Sequence, residues 1–214
     1  MRIKKLKAGF EKLTKEKARL IAHLIGDGCV YKCRTDYNIK YEVVDDDLLI
    51  QFEKDLVNVY GLIPTKGLNP SGKTGRLIPY VRLRSKLAYE DLLSFCNFHS
   101  DKWIVPNQII GSSKEIKKEF LGALFDDEGS IIIKNKYFEI RLYSINFSGL
   151  KQVQNLINEF GISSKIRNGY GSRRNVYGLV INRDGERFDS EIGFNSIRKN
   201  DKLNTHLKKI RSSN

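Results

Sequence analysis

The chain has 214 residues and carries 38 Lys and Arg against 25 Asp and Glu, a formal net charge of +13. That length suits one large domain or two small ones, each able to bury a modest core. No run approaches the roughly 20 apolar residues of a membrane span, and three scattered cysteines with no CxxC pair exclude a disulfide framework and a zinc site. A balance this basic points to a polyanionic partner, nucleic acid above all.

In chain order, the basic stretch Met1-Arg2-Ile3-Lys4-Lys5-Leu6-Lys7 leads into no apolar signal-peptide core. With Cys29, Cys33 and Cys96 read as reduced thiols, the expected location is cytoplasmic. The first helix is predicted over Leu20-Ile21-Ala22-His23-Leu24-Ile25-Gly26-Asp27-Gly28, an apolar run closed by a carboxylate and a glycine. Period-two alternation at Tyr37, Ile39, Tyr41 and Val43 predicts a strand. Leu49, Phe52 and Leu56 followed by Tyr60-Gly61 predict an amphipathic helix with its C-cap. The turn-rich loop Asn69-Pro70-Ser71-Gly72-Lys73-Thr74-Gly75 precedes a strand containing Tyr80, Arg82 and Arg84. The segment from about Phe98 to Ser113, with Trp103-Ile104-Val105-Pro106 inside it, reads as an ordered linker packed on both halves.

The pattern then starts again. Leu121-Gly122-Ala123-Leu124-Phe125-Asp126-Asp127-Glu128-Gly129 matches the first motif at a distance of 101 positions. Strand alternation returns at Glu139, Arg141 and Tyr143, and Leu150, Val153 and Ile157 followed by Phe160-Gly161 repeat the second helix at the same offset. Gly169-Tyr170-Gly171-Ser172-Arg173-Arg174-Asn175 takes the place of the earlier loop. Gly193-Phe194-Asn195-Ser196 then resembles Asn97-Phe98-His99-Ser100, each soon followed by a lysine, Lys199 and Lys102. Each unit therefore reads helix, two strands, helix, two strands, helix, with expected boundaries of 1–97, a linker over 98–117, and 118–214.

Two features point to chemistry. A helix C-terminus carries partial negative charge, so a carboxylate there is mildly unfavourable; a chain that does this twice in register marks Asp27 and Glu128 as candidate catalytic residues. Arg and Lys interleaved with tyrosines mark a nucleic-acid face of Arg82, Arg84, Lys134, Lys136, Arg141, Lys165, Arg167, Arg173, Arg174 and Tyr177. His23, on the motif helix, reads as an interface residue, and Asp126 as support for the helix end.

These motifs, their spacing and the repeat resemble the LAGLIDADG homing endonucleases in their two-motif, archaeal-like form. Phe120 to Ser130 is similar to the usual second motif, Lys17 to Gly28 to an archaeal first motif, and Lys102-Trp103-Ile104-Val105-Pro106 and Ile192-Gly193-Phe194-Asn195-Ser196 to later family segments. The resemblance implies an α+β fold of pseudo-two-fold duplicated αββαββα units, with two antiparallel sheets forming a DNA-binding saddle. It implies that the motif helices pack side by side, Ala22 and Ala123 permitting close approach. It further implies a monomer that hydrolyses phosphodiester bonds in double-stranded DNA at a long asymmetric target, with no membrane partner. Asp27 and Glu128 would bind Mg²⁺, for which Mn²⁺ can substitute, and the carbonyls of Gly26 and Asp127 would complete the coordination. Family members often carry Lys or Gln just before the second helix. Here those positions read Val44-Asp45-Asp46-Asp47 and Ser144-Ile145-Asn146, neither with a lysine, and Lys32, Lys134 and Lys136 are the nearby candidates. The alternative reading is a protein of the same fold that no longer cleaves, an intron-RNA maturase or a DNA-binding regulator.

Overall fold

The computed structural model describes residues 6–72, 75–134, 137–172 and 174–212. Thr14 caps the first helix, α1 (Lys15–Ile25), by accepting from the Lys17 N–H. The strands β1 (Gly28–Cys33) and β2 (Asp36–Glu42) follow, then α2 (Asp46–Tyr60), β3 (Thr65–Pro70), β4 (Leu77–Arg84) and α3 (Lys86–Phe95). A short helix, α4 (Asn107–Ile110), lies in the connection. The second unit repeats the order: α5 (Lys114–Glu128), β5 (Gly129–Lys134), β6 (Tyr137–Ser144), α6 (Phe147–Glu159), β7 (Lys165–Tyr170), β8 (Val176–Ile181) and α7 (Gly185–Glu191), with α8 (Ile197–Arg211) appended. The duplicated αββαββα architecture expected from the repeat is the observed one. The second motif helix begins at Lys114, inside the segment expected to be linker.

Each unit folds its strands into one antiparallel sheet, ordered β1-β2-β4-β3 in the first and β5-β6-β8-β7 in the second. The registers correspond: Gly28 faces Tyr41 as Gly129 faces Leu142. Alternation then sorts side chains by face. Ile39, Tyr41, Val81 and Leu83 in one sheet, and Ile140, Leu142, Leu179 and Ile181 in the other, point into a single continuous core. That core runs through α1 and α5, which pack against each other between the sheets. Arg19 pins this junction, donating to both oxygens of Asp55 on α2 at 2.8 and 2.7 Å and to Glu119 on α5 at 2.6 Å.

The glycines that end the two motifs are not left-handed helix caps. Gly129 is extended, with φ −89°. Each strand leaves directly over the last helical turn. A Cβ on Gly28 would lie 2.8 Å from the His23 carbonyl oxygen, and one on Gly129 would collide with the carbonyl oxygen of Phe125.

The connectors are exchanged between the units. Asn146, at the N-cap of α6, accepts from the Gly149 N–H and donates to the Trp103 carbonyl at 2.6 Å. Asp45, its counterpart before α2, accepts from the Ser196 hydroxyl at 3.1 Å and from Arg198 at 2.9 Å. The linker thus docks on the second unit and the segment before α8 docks on the first. Among the described residues no helix is long and apolar enough to cross a membrane.

Candidate DNA-cleavage site and nucleic-acid interface

α1 and α5 bring their C-terminal ends together, and with them Asp27 and Glu128. Burial raises the pKa of Asp27 to about 6, reinforced by the charge of Asp127. Burial likewise raises Glu128 to about 7, and here the charge of Asp27 is the next cause. The Asp27 side chain still reaches solvent, and Glu128 is half-buried. The two carboxylates therefore share one electrostatic environment, and neither carries its charge comfortably without a cation.

Asp127 has a different position. Its side chain is fully buried beneath the pair, accepting from the Tyr41 hydroxyl at 2.5 Å and lying 3.0 Å from His23 Nδ1. Gly26 is what lets it sit there: a Cβ on Gly26 would lie 2.6 Å from the Asp127 Cβ. Burial alone would lower the pKa of His23, but the Asp127 carboxylate outweighs it and raises it. Through this contact with Asp127 of the second unit His23 is an inter-unit interface residue, its ring also packed 4.7 Å from that of Tyr41 in its own unit. Asp126 accepts from the backbone N–H groups of Asn195 and Ser196 at 3.2 and 2.9 Å and so anchors the segment leading into α8. Neither Asp126 nor the Asp127 carboxylate belongs to the exposed pair.

Among the described residues, neither Lys32 nor Lys134 supplies the lysine at this centre. Lys32 stacks over Tyr37 on an outer strand, and Lys134 ends β5, five residues beyond Gly129 and so roughly 17 Å away by strand rise. Lys136 lies outside the described residues. Instead Lys199, buried on α8, closes the end of α5 by donating to the carbonyls of Phe125 (3.2 Å), Asp126 and Gly129 (2.6 Å). Its charge acts on both Asp27 and Glu128. The signal that could have found it was the repeated lysine after the Phe194 and Phe98 segments. The counterpart, Lys102, is exposed.

The opposite faces of the two sheets are polar and lie open. Register places Arg82 and Arg84 on the first, beside Lys40 and with Tyr31 and Tyr80. It places Lys134, Arg141, Lys165 and Arg167 on the second, with Tyr143 and Tyr170. Arg174 is exposed in the β7–β8 loop, and Arg173 lies outside the described residues. Tyr177 is a correction. It faces Ser144 in the ladder, which turns it to the core side, where its ring packs 5.2 Å from Phe147. Sequence reasoning also missed Glu139, buried among the arginines of the second open face.

Two packed helices ending in carboxylates, set between two polar antiparallel sheets, define the LAGLIDADG class of fold. Residues 115–193 match the family of LAGLIDADG-like domains. The uncharacterized protein MJ0314 of Methanocaldococcus jannaschii is 28% identical over 120 residues, a match spanning 56% of this chain and 43% of that protein. The structure resembles that of I-DmoI in complex with DNA and Mn, with a TM-score of 0.62 at 18% identity, covering 84% of this chain and 96% of that one. It also resembles the homing endonuclease I-WcaI bound to its DNA recognition sequence, with a TM-score of 0.64 at 16% identity over 88% and 87% of the two chains. Over residues 115–193 the chain thus carries a LAGLIDADG-like domain, and as a whole it has the two-unit fold of these homing endonucleases.

Proposed function

We propose that this protein is a divalent-metal-dependent endonuclease that cuts double-stranded DNA at a long, asymmetric site. The observation that carries this reading is the pairing of Asp27 and Glu128 at the adjoining ends of α1 and α5, between two open faces rich in Arg, Lys and Tyr. The donor set fits a hard cation. It offers two carboxylates whose charges oppose each other and nearby backbone carbonyls, with no cluster of three or more His, Cys, Asp or Glu side chains among the described residues. Mg²⁺ is bound in this way, through one or two carboxylates together with substrate phosphates. Bound there by Asp27 and Glu128, with the Gly26 and Asp127 carbonyls nearby, the ion would stabilise charge on the phosphodiester oxygens during hydrolysis.

The chain's own residues supply the rest. Asp127, His23 and Tyr41 fix the two helix ends relative to each other. Lys199 neutralises the α5 terminus and offsets the acidic charge around it. The open faces position the duplex through phosphates and read base edges in the major groove. Because the faces carry different residues at matched positions, one monomer presents an asymmetric surface. The protein would act inside the cell, on chromosomal DNA.

A second reading, a DNA-binding protein of this fold that does not cut, is favoured by one observation: Asp45 and Asn146, just before α2 and α6, are both spent on holding connectors. Incubation with Mg²⁺ and a library of long random duplexes, followed by sequencing of the ends, separates the two. Recurrent double-strand ends at one sequence, absent in EDTA, are the expected result. Enrichment of a bound sequence without ends supports the regulator.

A further inference from the structure

The open face of the second sheet carries a buried carboxylate in its midst. Glu139 is 1% exposed, yet it lies on the face otherwise made of Arg, Lys and Tyr. Its Oε2 accepts from Arg141 Nε at 2.6 Å and its Oε1 from Arg167 Nη1 at 2.9 Å. Arg141 is held further, donating to the hydroxyls of Tyr143 at 3.2 Å and Tyr137 at 2.8 Å, with its guanidinium 5.2 Å from the Tyr170 ring centroid. All three of its nitrogens are engaged inside the protein, and its side chain is 16% exposed. That of Arg167 is 44% exposed.

The first sheet is arranged differently at the same register. Asn38 stands where Glu139 does, and Lys40 where Arg141 does. Its carboxylate, Glu42, takes Lys40 and Asn69 instead, while Arg82 lies against the Tyr80 ring and Arg84 at 3.9 Å from Asp36. A carboxylate on a surface that meets a polyanion costs affinity through repulsion. An arginine fork that is already fixed loses less side-chain freedom on binding. A fixed, exposed guanidinium on a strand in the major groove matches the O6 and N7 acceptors of guanine.

On the basis of the DNA-binding reading above, we propose that Glu139 is a specificity-determining positioning residue. It splints Arg141 and Arg167 so that Arg167 is presented as a fixed donor fork for a guanine edge while Arg141 is kept off the phosphates. The second sheet is thereby the more discriminating half of the interface and the first the more adaptable half.

The experiment selects bound sequences from a random duplex library in Ca²⁺, using the full chain as wild type, Glu139→Gln, Arg167→Lys and Arg167→Ala. Melting temperature is recorded for each. The wild-type site should contain a guanine preferred roughly ten-fold or more. Arg167→Lys, which keeps the charge and loses the fork, and Arg167→Ala should both erase that preference without altering other positions. Glu139→Gln should weaken the same preference and bind random duplex more tightly at low salt. Its slope of log affinity against log salt should steepen by about 0.9 as the released Arg141 reaches a phosphate. Glu139→Gln that keeps the guanine preference and the wild-type salt slope overturns the proposal alone. So does a uniform loss of affinity across all sequences in step with a fall in melting temperature, which marks a purely structural role. Wild type that enriches no duplex sequence overturns the DNA-binding reading and this proposal with it.

Discussion

Lys199 on α8 and Gly129 at the start of β5 are joined by a 2.6 Å hydrogen bond from the ammonium to the carbonyl oxygen. The same ammonium takes the carbonyls of Phe125 and Asp126, so one buried charge satisfies the end of the helix that delivers Glu128. Burial lowers the Lys199 pKa, and the charges of Asp126 and Asp127 work against that. Lys199→Met fills similar space and removes the donors. It should destabilise the protein by about 1.5–3 kcal/mol, and DNA cleavage should fall more than DNA binding. Urea midpoints and single-turnover cleavage check this. Wild-type values in both would show that the helix end needs no cation.

The close approach of α1 and α5 sets the second prediction. Ala22 and Ala123 are both fully buried on these packed helices. Ala22→Leu should overpack the junction and cost roughly 1–3 kcal/mol. Because α1 would shift relative to α5, Asp27 and Glu128 would separate, and cleavage should decline further than the stability change alone accounts for. A variant that melts and cuts like wild type would mean that the junction has room to spare.

Much of this arrangement is legible in the sequence because duplication writes it twice. The offset of 101 positions marks both motif helices and both second helices, and period-two alternation puts Arg82 and Arg84 on one face. What stays hidden depends on partners distant in the chain. Tyr177 alternates correctly along β8, but only its pairing with Ser144 shows that its parity is the core parity. Glu139 looks like one more polar strand residue until Arg167, 28 positions away, is seen to share it. Lys199 belongs to a helix whose docking on α5 no local pattern announces.

The exchanged connectors give a third test. Asn146 both caps α6 and holds the Trp103 carbonyl, and its amide is buried. Asn146→Ala loses the cap and orphans that carbonyl, for a combined cost of about 2–3 kcal/mol. Asn146→Asp keeps the cap acceptor and loses the donor, so it should recover part of the loss. Thermal melts of the two variants give the order, and equal losses would remove the cap from the account.

On the first open face, Arg82 and Arg84 have, among the described residues, no internal partner comparable to the Glu139 splint. Arg82→Ala and Arg84→Ala should therefore lower duplex affinity mainly through phosphate contacts. Each should flatten the slope of log affinity against log salt by about 0.9. Titrations of a selected duplex across salt concentrations measure this. An unchanged slope with a lost base preference would instead make these residues readers of sequence.

The paired carboxylates set the fifth prediction, for which the sign can be worked out. In the fold Asp27 rises to about 6 from 3.8 and Glu128 to about 7 from 4.5, chiefly through burial. The folded protein thus holds more protons than the unfolded chain between roughly pH 4 and 7, and the pair's contribution to stability falls as pH rises through that window. Glu128→Gln removes this penalty. It should be more stable than wild type at pH 8, by about 1 kcal/mol once solvent screening is allowed for. The difference should shrink as pH is lowered toward 5, where wild-type Glu128 is protonated in the fold. Mg²⁺ should raise the wild-type melting temperature more at pH 8 than at pH 6, because metal and protons compete for the same oxygens. It should do little for Glu128→Gln, which should also cut no DNA while binding it within a few fold of wild type. Melting curves across pH, with and without Mg²⁺, test the linkage. A variant that is less stable than wild type at pH 8, or that still makes double-strand cuts, would detach Glu128 from the metal role given to it.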